Sequence, residues 1–188
     1  MRIILASQSP FRKYALDLLG LDYEVVPSDI DEKSIRDENP RILVQKLAEA
    51  KAISVAEKHS DAVIIASDAV VSMNGRIFEK PKNEHEAFAM LNVLSGNSFE
   101  FITGLAVHNC INKKTHSTVQ GCTLKFRRLL EPEIKDYISK YPVLHCAGAF
   151  EHDGVLRFAA EVSGSYNFRT AIPVNELVLL LREQGVQV

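Results

Sequence analysis

The chain lacks most of the features that would place it in a membrane, outside the cell or on a nucleic-acid polymer. No apolar run in its 188 residues reaches the length of a membrane-spanning helix, and Met1 leads straight into a strand-like segment, not a charged signal region. The three cysteines, Cys110, Cys122 and Cys146, are odd in number and show no C-x-x-C spacing. A disulfide framework is therefore not expected, and the sequence reads as one for a reducing compartment, the cytoplasm. Net charge is -2 and the basic residues form no long block, so neither polymeric nucleic acid nor a membrane is an expected partner. The two commonest nucleotide loops, G-x-x-x-x-G-K-[ST] and G-x-G-x-x-G, are missing, as is a Gly-x-Ser-x-Gly nucleophile elbow. Repeats, low-complexity tracts and linkers are absent too, which leaves a single domain over 1–188, with room for two lobes.

What is present is an alternation of strand-like and helix-like segments. A helix is expected over residues 10–19, with Ser9 as N-cap, Pro10 in the first turn and Gly20 as the stop. A strand near 23–26 precedes the acidic loop Ser28-Asp29-Ile30-Asp31-Glu32, and Asn39-Pro40 opens a long helix carrying Leu43, Leu47, Ala50 and Ile53 at helical spacing. Residues 62–66 read as a central strand ending at Ser67-Asp68, followed by a hairpin of 70–73 and 76–78 around Asn74-Gly75. Asn83 and Glu86 mark a helix through Leu94. Long strands are expected at 100–107 and 115–126, a short helix at 132–139, strand segments near 147–150 and 155–162, and a last helix from Pro173 to about Gly185. The fold class is α/β, a twisted mixed sheet flanked by helices.

Chemistry-bearing residues collect at the ends of these segments. Ser7-Gln8-Ser9-Pro10-Phe11-Arg12-Lys13 brings two hydroxyls and two cations to a helix start, where the helix dipole and charge-assisted donors favour a polyphosphate. Asp68 follows an apolar run, Lys51 lies late in the long helix, Lys80 follows the hairpin, and Asp31 and Glu32 sit in the acidic loop. Carboxylates for a hard divalent cation beside cations for phosphates is one logic that unites them. His108, Cys110, Cys122, His145 and Cys146 match no common zinc spacing and are read as structural.

With these residues in view, the chain resembles the Maf family of nucleoside triphosphate pyrophosphatases. The matching segments are Leu5-Ala6-Ser7-Gln8-Ser9-Pro10 with Arg12, Ser28-Asp29-Ile30-Asp31-Glu32, Leu47-Ala48-Glu49-Ala50-Lys51-Ala52, Ser67-Asp68, Lys80-Pro81, Leu94-Ser95-Gly96, Thr103-Gly104 and Cys146-Ala147-Gly148-Ala149-Phe150. They occur in family order and span nearly the whole chain. The resemblance implies two lobes with a nucleotide cleft, similar to inosine-triphosphate pyrophosphatases, and hydrolysis of a nucleoside triphosphate to monophosphate and pyrophosphate with a divalent metal, magnesium or manganese. It implies that Asp68 helps activate the attacking water, that Glu32 joins Asp68 at the metal with Asp31 a weaker third, and that Ser7, Ser9, Arg12, Lys13, Lys51 and Lys80 hold the phosphates. It also suggests a homodimer, although no exposed apolar helix face demands one.

The chain departs from the commoner family pattern at three places. Where that pattern has two arginines straight after Ser-Pro, a Thr after the Asp and a Gln shortly after the Ala-Gly-x-aromatic segment, this sequence has Phe11 ahead of Arg12, Ala69 and Asp153. An aromatic residue, a non-Thr residue and an acid there resemble the branch that hydrolyses 7-methyl-GTP, which more typically carries Trp, Gln and Glu. The chemistry agrees: a cationic N7-methylated guanine stacks on an aromatic face, and a carboxylate accepts from guanine N1–H and its 2-amino group. Phe11 is thus the expected stacking residue and Asp153 the base reader, with Ala69 as a third specificity position. The alternatives are that Phe11 packs into the core and that Asp153-Gly154 is a turn. At the level of function they are a pyrophosphatase preferring dTTP or UTP, and a nucleotide-binding regulator of septum formation with little catalysis. A housecleaning role, keeping modified nucleotides out of nucleic acid, is what the resemblance carries for physiology.

Overall fold

The computed structural model describes residues 1–188 and forms a seven-stranded mixed sheet flanked by helices. In chain order its elements are β1 (Arg2–Leu5), α1 (Pro10–Asp17), β2 (Glu24–Val25), α2 (Pro40–Ala56), β3 (Ala62–Met73), β4 (Arg76–Phe78) and α3 (Glu84–Leu94). There follow β5 (Ser98–Asn109), β6 (Lys114–Phe126), α4 (Glu131–Lys140), β7 (Ala159–Gly164), α5 (Asn167–Thr170) and α6 (Val174–Glu183), with a 3-10 turn between β2 and α2 and three between α4 and β7. The strands run in the order β2-β1-β3-β5-β6-β7, with β4 on the continuation of β3. β1 pairs parallel with β2 and β3, whereas β4 and β7 pair antiparallel with β3 and β6. No helix is long and apolar enough to cross a membrane.

The chain divides into two compact units. The first comprises Met1–Asp68, Thr103–Gln120 and Tyr166–Val188, and the second Ala69–Ile102 and Gly121–Ser165. In the first unit, strand alternation splits the apolar residues between two cores. Ile3, Leu5, Val63, Ile65, Leu105 and Val107 point to one face and pack with Leu16 of α1 and Leu177 and Leu181 of α6. Their neighbours Ile4, Ala6, Ile64, Ala66 and Ala106 point to the other face, onto Ala48, Ala52 and Val55 of α2. Burial on both faces explains why β1 and β3 read as unbroken apolar runs.

Small side chains on the second face let α2 approach the sheet closely. Gly104 in β5 carries this furthest: a Cβ there would lie 2.3 Å from the Val44 carbonyl oxygen. The helix itself starts as expected, with Pro40 in the first turn and the Asn39 side chain accepting from Arg41 N at 2.9 Å. The second unit is built on aromatic rings. Phe99 meets Phe126 edge-on at 4.7 Å, and Tyr137 contacts both Phe158 and Tyr141 at 4.5 Å between centroids. Its β3–β4 hairpin turns through Asn74 and Gly75, both at positive φ, as a type I′ turn requires.

Several sequence expectations need correction. β3 does not stop at Ser67-Asp68 but runs on to Met73, because Val71, Ser72 and Met73 find partners in β4. Residues 147–150 are not a strand: Ala147–Ala149 is a 3-10 turn, and Ala149 sits at φ +61°, outside the strand region. Only the second half of 155–162 is extended, since Gly154–Arg157 forms another 3-10 turn before β7. The first helix ends at Asp17, two residues early, and the short α5 has no counterpart in the periodicity.

Candidate active site

β1 delivers its chain end into α1 through Ala6-Ser7-Gln8-Ser9, and this turn orders the first cluster of polar groups. Ser7 is buried and its Oγ accepts two bonds, from Ser9 N at 3.2 Å and from an Arg12 terminal nitrogen at 3.1 Å. Ser9 occupies the N-cap position without using its hydroxyl as a cap, so that hydroxyl is not spent on the helix. Pro10 takes the first helical position, as expected. Arg12 is half-buried, and its Nε is buried with no hydrogen-bond partner in the protein. Burial pulls its guanidinium down from its usual range, and the carboxylates of Asp68 and Glu32 push in the opposite direction. Lys13 and Phe11 are half-buried on the same first turn.

A second cluster stands at the end of the first unit's part of β3. Asp68 is 8 % exposed and Lys51, late in α2, is 4 % exposed; their separation is 2.5 Å from Nζ to Oδ1. The same Nζ lies 2.9 Å from Oε1 of Glu32, which belongs to the exposed 3-10 turn Glu32–Ser34. One ammonium thus holds two carboxylates from separate chain segments, brought together because α2 packs flat on the sheet face bearing Ala66. Asp31, the weaker acidic candidate, turns elsewhere: its carboxylate accepts from Lys33 N at 3.0 Å and caps the turn.

Residues outside the candidate set fix this strand end. Ser67 is fully buried and donates to the Ala171 carbonyl at 2.6 Å, while Ala171 itself adopts a left-handed conformation at φ +50°. Asn167 donates to Thr103 Oγ1 at 3.0 Å and to the Gln120 carbonyl at 3.1 Å. The only advance signal for this support was polarity beside an apolar run, at Ser67 and Thr103. A partner one hundred residues away leaves no local pattern.

The pair Glu32 and Asp68 fits a divalent ion of the magnesium type on its donor chemistry: two hard carboxylate oxygens already share one cationic partner. No third His, Cys, Asp or Glu joins them. Such a site suits an ion that completes its shell with phosphate oxygens and water, not a closed protein cage.

The remaining candidates belong to the second unit. Lys80 is exposed just after β4, where Gly148 N donates to the neighbouring Glu79 carbonyl at 3.2 Å. Ala69 is half-buried in β3. Asp153 is exposed in a loop held by Glu151, whose Oε2 accepts from Asp153 N at 3.1 Å and Gly154 N at 2.7 Å. Glu151 in turn is fixed through its backbone N–H, which donates to the buried Tyr137 hydroxyl at 2.8 Å.

Comparison with known proteins finds relatives along the whole length of this chain. A curated Vibrio vulnificus protein named 7-methyl-GTP pyrophosphatase is 35 % identical over 189 aligned residues, which cover 100 % of this chain and 97 % of that protein. Among solved structures, the Staphylococcus aureus Ham1 protein matches with a TM-score of 0.56 at 14 % identity, covering 98 % of this chain and 100 % of that one, a likeness of fold. The Maf-like protein family model matches residues 2–184. With that match running through both clusters and on to α6, the chain belongs to the Maf family.

Proposed function

We propose that this Maf-family hydrolase cleaves 7-methyl-GTP between its α- and β-phosphates, releasing 7-methyl-GMP and pyrophosphate. The observation that carries the reading is the Lys51–Asp68–Glu32 cluster, which sits in the same unit as Ser7 and the unpartnered Arg12 Nε. Arg12 and Lys13 supply positive charge that neutralises the phosphates, and Ser7 sets the guanidinium in place. Ser9 and the start of α1 add hydroxyl and dipolar donors. The Asp68 carboxylate takes the proton from the attacking water as its oxygen bonds to the α-phosphorus, while the pyrophosphate leaves on the opposite side. A magnesium or manganese ion held by Glu32 and Asp68 would supply further charge neutralisation at the phosphate oxygens. Lys80 is assigned a phosphate role on family resemblance.

For the base, Phe11 is assigned the stacking role and Asp153 the reading of the N1 and 2-amino edge, with Ala69 a third specificity position, all three on family resemblance and side-chain chemistry. The relative named 7-methyl-GTP pyrophosphatase supports this choice over thymine or uracil. The test is pyrophosphate release by the purified protein with magnesium or manganese across 7-methyl-GTP, GTP, dTTP and UTP. The highest kcat/KM is expected for 7-methyl-GTP; a higher value for dTTP or UTP overturns the base assignment. Asp68→Asn is expected to lower kcat by about a hundredfold or more, the usual weight of a general base. Equal rates would remove Asp68 from the reaction, and no release from any nucleotide would favour a binding regulator.

A further inference from the structure

In the Lys51 cluster, a single ammonium satisfies Asp68 Oδ1 at 2.5 Å and Glu32 Oε1 at 2.9 Å, and it is 5 % exposed at the side chain. These are the same two carboxylates that fit a divalent ion, and a hard cation and an ammonium cannot both sit within bonding distance of them without strong like-charge repulsion. We infer that Lys51 and the divalent cation compete for Glu32 and Asp68, so that the ion gains the carboxylates only when the ammonium has moved off them. This rests on the pyrophosphatase reading for its purpose: an incoming triphosphate offers Lys51 alternative anions and brings an ion of its own.

The consequence is an order of events. Without nucleotide, Lys51 offsets one of the two negative charges and occupies an oxygen of each carboxylate, with the Arg12 guanidinium acting in the same sense, and the protein holds divalent ions weakly. When the polyphosphate arrives, the ammonium transfers to phosphate oxygens, and the freed carboxylates then accept the ion. Lys51 is in this sense a placeholder that prevents the acids from binding an ion before substrate. Removing its charge should therefore strengthen metal binding by the nucleotide-free protein, even though it weakens phosphate binding. A purely structural ion pair predicts the reverse, because an unneutralised acid pair disturbs the local fold.

The experiment measures free Mn2+ by electron paramagnetic resonance in the absence of nucleotide, for the wild type, Lys51→Met, and Lys51→Met combined with Asp68→Asn. Lys51→Met is expected to bind Mn2+ about tenfold or more tightly than wild type, the effect of removing one like charge at bonding distance in a partly screened site. The gain should vanish in the double variant. Equal or weaker binding by a folded Lys51→Met protein, with its melting followed by circular dichroism, overturns the inference. Should that variant not fold, the wild type decides: acetylation of the Lys51 amine, read by peptide mass spectrometry, must rise as Mn2+ is added, and unchanged labelling overturns the inference. Neither readout contains a nucleotide. A failure here therefore leaves the pyrophosphatase reading standing, and absence of pyrophosphate release leaves the competition for the carboxylates standing.

Discussion

At the scale of single residues, burial sorts the reactive groups. All three cysteines are free and buried. Loss of hydration pushes the Cys122 thiol up to about 11 and the Cys146 thiol up to about 12, so neither forms thiolate near neutral pH. At pH 8 the native protein should consume almost no thiol reagent such as dithiobis(nitrobenzoate), and urea-unfolded protein should consume three equivalents. The exposed Asp153 is different, because the role proposed for it is selectivity. Asp153→Asn keeps the shape of the loop that Glu151 holds but loses an acceptor. It should lower the preference for 7-methyl-GTP over UTP by about tenfold or more, measured as a ratio of kcat/KM values, as expected when a site built for N–H donors loses its partner. Much of this scale was legible in the chain: Ser7, Arg12, Lys51 and Asp68 stand out by type and position. Ser67 and Glu151 did not, since their partners, Ala171 and the backbone of 153–154, are set by the folded loop and not by a motif.

At the scale of elements, α2 is the part that makes or breaks the acid–ammonium cluster. It presents Ala48, Ala52 and Val55 to the sheet and reaches contact with β5 only because residue 104 has no side chain. Gly104→Ala places a methyl carbon against the Val44 carbonyl and must push the helix outward. A stability loss of about 1–3 kcal/mol is expected from such overpacking, measured by urea unfolding. Since Lys51 rides on the same helix, kcat should fall alongside it. Elements are legible in the sequence where caps and periodicity agree, as for Asn39-Pro40 before α2 and Asn83 before α3, whose side chain accepts from Glu86 N at 2.9 Å. The extent of β3 is not, because a Ser-Asp pair in a buried strand looks like an end. The strand continues for the sake of partners in β4, which no local pattern announces. Apolar segments such as 147–150 misled for the opposite reason: hydrophobicity alone cannot separate a strand from a buried 3-10 turn.

At the scale of the whole molecule, acid should be its weak side. Glu24, Asp29, Asp37, Glu133 and Asp136 are each held below the usual carboxylate range by hydrogen bonds and charge from Arg2, Lys58, Lys46, Arg127 and Lys140 respectively. Depressed values stabilise the folded state above the ordinary carboxylate range, and that stabilisation is lost as pH falls through the folded values. Glu133, brought to about 2 by Arg127, is among the late groups to protonate. The melting temperature should therefore decline steadily from pH 5 towards pH 2, and Glu133→Gln should flatten the lowest part of that decline. A melting temperature independent of pH across this interval would contradict the assignment of these pairs.

The clamp from Ser67 to the Ala171 carbonyl has a bearing on biosynthesis. The first unit is sewn from the beginning, middle and end of the polypeptide, and Ile172, Leu177 and Leu181 fill the core against strands made far earlier. While the ribosome is still translating, β1 and β3 already exist but the stretch that buttresses them has yet to emerge from the exit tunnel. The nascent enzyme accordingly stays incompetent until the codons for these residues are read, and a stop placed before Ala171 should abolish turnover.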